Sequence, residues 1–196
     1  YISLGALNDT VKAVKVDGAE ATVDNVKAGA YKLSRPFNIA TKGEPTGLAK
    51  DFINFILSKE GQAVVTDNKY IAVNDAAESF VSDGSSGQIA VGGSSSVSPV
   101  MEKLIEAYKS VNPNASIDLQ TSDSTSGMTG AMDGTFAIGM ASRELKDEEA
   151  AQLTGTAIAL DGIAVIVNPA NTIDELSMDQ IKSIYVGDIT DWGDLA

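Results

Sequence analysis

The 196-residue chain has no cysteine and no histidine. Without cysteine there is no disulfide, no thiolate nucleophile and no thiolate metal site. Without histidine the commonest general base and the commonest zinc ligand are both missing, and a Ser-His-Asp hydrolase is excluded. Long apolar runs are lacking too. The longest, residues 163–167, suits a buried strand and falls far short of the roughly 20 residues a membrane-spanning helix needs. Positive charge is scarce, with 14 basic against 27 acidic side chains and a formal net charge of −13. That argues against a nucleic-acid partner, whose affinity depends on clustered Lys and Arg. It does not exclude a small anion, because net charge governs long-range steering while a bound anion feels the nearest N–H and hydroxyl dipoles.

Several motifs are also absent. There is no G-x-G-x-x-G, no P-loop, no G-x-S-x-G elbow and no EF-hand loop. No catalytic set, no metal ligands and no cofactor are expected. The absence of cysteine leaves either side of a membrane open. Tyr1-Ile-Ser-Leu-Gly5 reads as mid-domain sequence rather than as a signal peptide.

What is present is an ordinary globular composition, 43% apolar with 18 glycines, enough for one large domain or two small ones. Residues 1–73 carry mixed α/β signals. The alternation at 11–16 predicts an edge strand closed by an Asp17-Gly18 turn, and Thr22 predicts a helix cap. Residues 37–41 predict a strand. Leu48, Phe52, Phe55 and Ile56 mark a helical face, with a break expected at Gly61. Residues 70–73 predict a last strand or a docked tail. Residues 74–88, rich in Ser, Gly and Asp, predict a flexible connector.

Residues 89–196 alternate strand and helix, which implies a mainly parallel sheet covered by helices on both faces. A strand at 89–91 runs into Gly92-Gly-Ser-Ser-Ser-Val-Ser98, and Pro99 opens a helix. A second strand, 116–120, leads to a polar loop, Thr121 to Ser126, before a helix at 127–132. A third strand, 136–140, leads into Ala-Ser-Arg143. Ser177-Met-Asp-Gln180 is a capping box, and Gly187 should close its helix. Trp192 is expected to be a packing anchor, and the Glu148-Glu149 pair a solvated surface.

The candidate site follows from the strand-to-helix loops. Free N–H groups and the dipole at a helix start favour an anion, and serines add uncharged donors. One such loop alone is explained by capping. Two of them at the carboxyl ends of strands in one open sheet converge on a single crevice. Arg143 then offers a charge-assisted contact, or else a surface ion pair with Glu144 or Asp147. Asp161, inside an apolar run, either caps a loop or accepts a proton from a monohydrogen anion.

The stretches 93–103, 139–145, 160–168 and 180–192 resemble the amino-terminal part of PstS-type phosphate-binding proteins of ABC transporters. Residues 1–5, 34–37 and 42–62 resemble that family's carboxyl-terminal part. The two parts stand in swapped order, with 74–88 as the joint, and the family's intervening lobe, which carries an Arg-x-x-x-Ser-Gly-Thr-like clamp, has no counterpart here.

The resemblance implies one permuted α/β lobe of a type II periplasmic binding protein across 1–196, natural or engineered. It implies inorganic phosphate as ligand, a membrane permease as partner, and a location in the periplasm or, by a lipid anchor, on the outer face of the membrane. Carried over by position, Ser95 and Ser96 give hydroxyl and backbone donors, Ser124 and Thr125 the second loop, and Arg143 a charge. Ser142 stands where some members have a proton-accepting Asp, which leaves Asp161 as the replacement. With one lobe, binding is expected to be weak or lost. Alternatives are another oxyanion such as sulfate or molybdate, or a self-associating scaffold forming homo-oligomers through an exposed face.

Overall fold

The structure is a computed structural model and describes residues 1–195. From the amino end, β1 (Ile2–Ser3) leads through a 3-10 turn to β2 (Lys12–Ala13) and β3 (Lys15–Val16). The single strand expected here is split because buried Val14 turns its N–H to Val165 O, 2.9 Å away. Asp17 and Gly18 follow with φ of 49° and 81°, the left-handed pair a tight hairpin turn requires. Thr22 Oγ1 caps α1 (Val23–Lys27) by accepting from Asn25 N at 3.2 Å.

Next come β4 (Ser34–Thr41), α2 (Gly47–Leu57) and α3 (Lys59–Asp67). The helical break falls at Ser58, not at Gly61. Ser58 Oγ accepts from Gly61 N at 3.2 Å and so starts the second helix. Gly61 lies inside α3, where a Cβ would stand 2.1 Å from Phe55 O, so its smallness lets the two helices meet. Residues 70–73 form no strand; Ile71 makes one antiparallel bridge to Leu160.

The remaining elements alternate. They are β5 (Gly87–Ser94), α4 (Ser98–Val111), β6 (Ala115–Ser122), α5 (Ser124–Asp133), β7 (Ile138–Ala141), α6 (Asp147–Ala150) and β8 (Thr154–Ala164). The chain closes with β9 (Ile166–Val167), β10 (Glu175–Leu176), α7 (Met178–Val186) and a 3-10 turn, Trp192–Leu195. Ser177 and Gln180 form the expected capping box of α7, and Gly187 ends it at φ 87°. Trp192 is not an anchor: it is 52% exposed.

The chain forms two compact units, residues 1–34 with 161–195 and residues 35–160. Each unit draws on both of the segments that the sequence distinguishes. In the first, β1 pairs with the end of β8, β2 with β9 and β3 with β10. Val14, Val16, Tyr31, Ala164 and Leu176 are buried there, and Tyr31 donates to Ile163 O at 2.8 Å.

The second unit is built on the strand order β8-β4-β7-β5-β6. Its parallel part is β6-β5-β7, while β4 enters antiparallel to β7. Phe37 and Ile39 of β4, Val91 of β5 and Met140 of β7 join the apolar faces of α2, α3 and α4. Ala40 and Ala141 turn the other way, to Met128 and Ala131 of α5. Helices therefore cover both faces of this α/β sheet, and alternation along β4 and β7 decides which residues meet which layer.

Residues 74–86 carry no helix or strand but are held along their length. Phe80 N donates to Glu60 Oε2 at 2.7 Å, and the Phe80 ring packs 5.3 Å from Phe55 and 6.1 Å from Tyr108. Ser82 Oγ and Asp83 N donate to the buried Asp51 carboxylate at 2.7 and 3.0 Å. Tyr108 donates to the same carboxylate at 2.6 Å.

Candidate anion-binding site

β5, β6 and β7 run parallel, with Ser94 opposite Ser122 and Gly93 opposite Met140. Their carboxyl ends therefore open on the same edge of the sheet. The turn 95–97, the start of α5 and the segment after Ala141 all emerge there. This is the geometry on which an anion reading depends.

Glycines bring the three emergences together. Gly93, at φ 137°, would place a Cβ 2.3 Å from Met140 O and 2.9 Å from Gly127 Cα. A Cβ on Gly127 would meet Met140 O at 2.6 Å, and one on Gly139 would meet Gly127 O at 2.5 Å. The amino end of α5 thus lies directly on the backbones of β5 and β7, closer than any side chain permits.

The hydroxyls then meet. Ser94 Oγ donates to Ser142 Oγ at 3.0 Å, and Ser142 N donates to Ser124 Oγ at 3.1 Å. Ser98 Oγ and Thr121 Oγ1 are 2.8 Å apart at the start of α4. Of the residues singled out from sequence, Ser124, Thr125, Ser142 and Arg143 are gathered here. Ser95 and Ser96 lie on the adjoining turn, Ser95 exposed and Ser96 half-buried. Ser95 N is already engaged with Ser122 O at 2.8 Å, which extends the β5–β6 ladder by one step.

The second polar loop is shorter than expected. β6 runs to Ser122 and α5 starts at Ser124, so only Asp123 lies between. Asp123 makes the early start possible. Its Oδ1 accepts from Thr125 N at 2.8 Å and Ser126 N at 3.0 Å, and its Oδ2 from Ser126 Oγ at 2.6 Å. The Ser126 hydroxyl, with the Ser126 and Thr125 N–H groups, holds the Asp123 carboxyl below the usual carboxylate range.

Arg143 pairs with neither Glu144 nor Asp147 carboxylate. It forms a two-pronged pair with Glu149, 2.7 Å from Nη1 to Oε2 and 2.8 Å from Nη2 to Oε1. Glu149 is therefore buried at 2% exposure, not part of a solvated acidic surface, because Arg143 and Lys146 N satisfy it. Arg143 lowers the Glu149 carboxyl, and Glu149 raises Arg143 in turn. Arg143 also reaches Thr125 Oγ1 at 3.4 Å and Glu144 O at 2.9 Å. Buried Asn38 on β4 donates to Arg143 O at 2.9 Å, which fixes the segment from below.

Asp161 belongs to the first unit, fully buried, and accepts a hydrogen bond from Ser3 Oγ. A surface concavity of about 430 Å³ in that unit is lined by Lys12, Lys15, Glu20 and Asp174. Its lysines are engaged by Asp174 at 2.5 Å and Glu20 at 3.5 Å, so its positive charge is already neutralised.

Sequence reasoning did not single out Ser94, Asn38, Asp123 or Glu149 for the site. Ser94 is one of three adjacent serines, and strand register alone singles it out. Only Asp123, next to a helix start, fits a recognisable cap pattern.

The model for the PBP superfamily domain matches residues 79–196. The phosphate-binding protein PstS 2 of Streptococcus agalactiae is 52% identical over 198 residues, covering 100% of this chain and 67% of its own. The chain belongs to the PstS phosphate-binding protein family. It spans about two thirds of the length of that PstS relative. A crystal structure of a phosphate-binding protein of a phosphate ABC transporter from Streptococcus pneumoniae superposes with a TM-score of 0.89 at 47% identity. It covers 100% of this chain and 76% of the other. A Clostridium perfringens protein crystallised with phosphate bound matches at 44% identity and a TM-score of 0.53, over 56% of this chain and 45% of its own. Among the described residues no helix is long and apolar enough to cross a membrane.

Proposed function

We propose that this PstS-family chain supplies part of an uncharged cradle for inorganic phosphate, as the solute-binding component of a phosphate ABC transporter. In this reading Ser95, Ser96, Ser124, Thr125 and Ser142 present hydroxyl donors, the Ser95, Thr125 and Ser142 N–H groups being already engaged within the protein. Arg143, held in place by Glu149, adds a charge-assisted contact. The single observation that carries it is the meeting of the Ser94, Ser142 and Ser124 hydroxyls, Ser94 Oγ on Ser142 Oγ and Ser142 N on Ser124 Oγ, at the shared carboxyl edge of β5, β6 and β7. Asp161, bonded to Ser3, is read as a structural carboxylate of the first unit. No chemistry is catalysed. The protein works outside the cytoplasmic membrane and hands its ligand to a membrane permease.

The 196 residues alone present one side of a cradle, so phosphate binding by this chain is weak, in the millimolar range or above. Titrating phosphate into the chain, by calorimetry and by amide chemical shifts, tests this. Shifts at Ser124 and Ser142 that saturate only at high phosphate support the reading; no shift there removes it. Sulfate and molybdate titrations at two pH values separate the other oxyanions.

The order of the segments is read as natural. A match of 52% identity along the whole chain to a streptococcal relative supports that reading. The Clostridium perfringens match covers 56% of this chain, more than residues 1–73 contain. We read the swap as a difference between groups within the family rather than as the mark of an engineered, self-associating scaffold.

A further inference from the structure

Ser94 is the last residue of β5 and only 3% exposed, so its hydroxyl is out of reach of a ligand at the sheet edge. Its backbone is fixed on two sides. It stands opposite Ser122 in the β5–β6 ladder, and its carbonyl accepts from Val97 N at 3.0 Å and from Ser98 Oγ at 3.3 Å. A buried hydroxyl needs a partner, and Ser94 finds one in half-buried Ser142, directly after β7.

A serine hydroxyl carries one proton and two lone pairs. The Ser94 proton goes to Ser142 Oγ. That contact turns a lone pair of Ser142 inward and leaves the Ser142 proton for another acceptor. Ser124 is in the same position, because its Oγ accepts from Ser142 N. Among the described residues neither the Ser142 nor the Ser124 hydroxyl donates to a protein acceptor.

We propose that Ser94 is a positioning residue of the anion cradle: without touching the ligand, it fixes the Ser142 hydroxyl as a donor toward it. This rests on the phosphate reading above. An unanchored hydroxyl rotates, and in some of its orientations a lone pair rather than a proton faces the incoming oxygen. The ligand must then reorient it. With Ser94 in place the donor is set before the ligand arrives, and such preorganisation adds affinity. Every tetrahedral oxyanion offers acceptor oxygens, so Ser94 sets affinity and not the choice of anion. Its loss should weaken phosphate and sulfate by the same factor.

The test is a double-mutant cycle on the full chain, with inorganic phosphate as the probe and the Ser124 amide shift as the readout. Ser94→Ala should weaken binding about fivefold, the worth of one ordinary hydrogen bond. Ser142→Ala should weaken it at least as much, and adding Ser94→Ala to Ser142→Ala should change nothing further. A merely structural role would lower affinity by the same factor in both backgrounds. A melting temperature within a few degrees of wild type shows that Ser94→Ala keeps the fold. Ser94→Cys, close to serine in shape but a weaker donor, serves as a second variant and should bind more weakly than wild type. Suppose Ser124 shifts with phosphate, but Ser94→Ala or Ser94→Cys binds as wild type does, or Ser94→Ala loses the same factor with and without the Ser142 hydroxyl. Then the positioning role is wrong and the phosphate reading stands. If the wild-type chain shows no shift at Ser124 or Ser142, both readings fall.

Discussion

At the scale of single residues, the site depends on side chains that are missing. Gly127 lets α5 rest on β5 and β7, and a methyl group there would meet backbone atoms that cannot swing aside. Gly127→Ala should cost about 2–3 kcal/mol in denaturant unfolding, as overpacking does. It should also push Ser124 away from Ser142, lowering phosphate affinity in a variant that remains folded. The Arg143–Glu149 pair gives a pH prediction. Glu149 is depressed in the fold, so the stability it contributes is complete above its unfolded value and lost as pH falls through its folded one. Glu149→Gln should therefore cost about 2–3 kcal/mol at neutral pH, because Arg143 is left half-buried without its counter-charge. The gap to wild type should narrow below about pH 4, as seen in urea midpoints measured across pH.

At the scale of elements, the joint 74–86 is a strap with specific anchors. Burial pushes the Asp51 carboxyl up, but donors from Tyr108, Asp83, Ser82 and Asn112 outweigh burial and leave it lowered. Burial and Asp51 together push the Tyr108 hydroxyl well up, so it remains a donor. Phe80→Ala removes the ring that packs on Phe55 and Tyr108, and should cost about 2 kcal/mol. Limited proteolysis should then cut within 74–86 faster than in wild type; equal cutting rates would show that the strap is held without Phe80. The composition of this segment spoke for flexibility, yet it is docked. One aromatic ring and one buried carboxylate outweigh the small and polar residues around them, and a composition average does not register them.

At the scale of the whole molecule, the two sequence segments are interleaved. β4, from the first, pairs with β7, from the second, and α2 and α3 share a core with α4. Neither segment completes the second unit by itself, so residues 1–73 and 89–196 expressed apart should each lack cooperative unfolding. Mixing them should restore it if the strap serves only to connect. Thermal unfolding of each fragment and of the mixture reads this directly. What the core needs is the pairing of strands, not their succession along the chain.

The sequence alone determined the alternation of strand and helix, the caps at Thr22 and Ser177, and the serine-rich stretches that end strands. Those signals are local: period, turn chemistry and capping act over a few residues. The exclusion of histidine and cysteine chemistry is equally complete in the composition. Only the tertiary structure decided that Ser94 joins Ser142, that Arg143 finds Glu149 rather than Glu144 or Asp147, and that α5 starts directly after Asp123. Each of these depends on strand register and on a glycine contact between distant parts of the chain. No local pattern encodes such distances, because the atoms that set them are brought together only when the sheet closes.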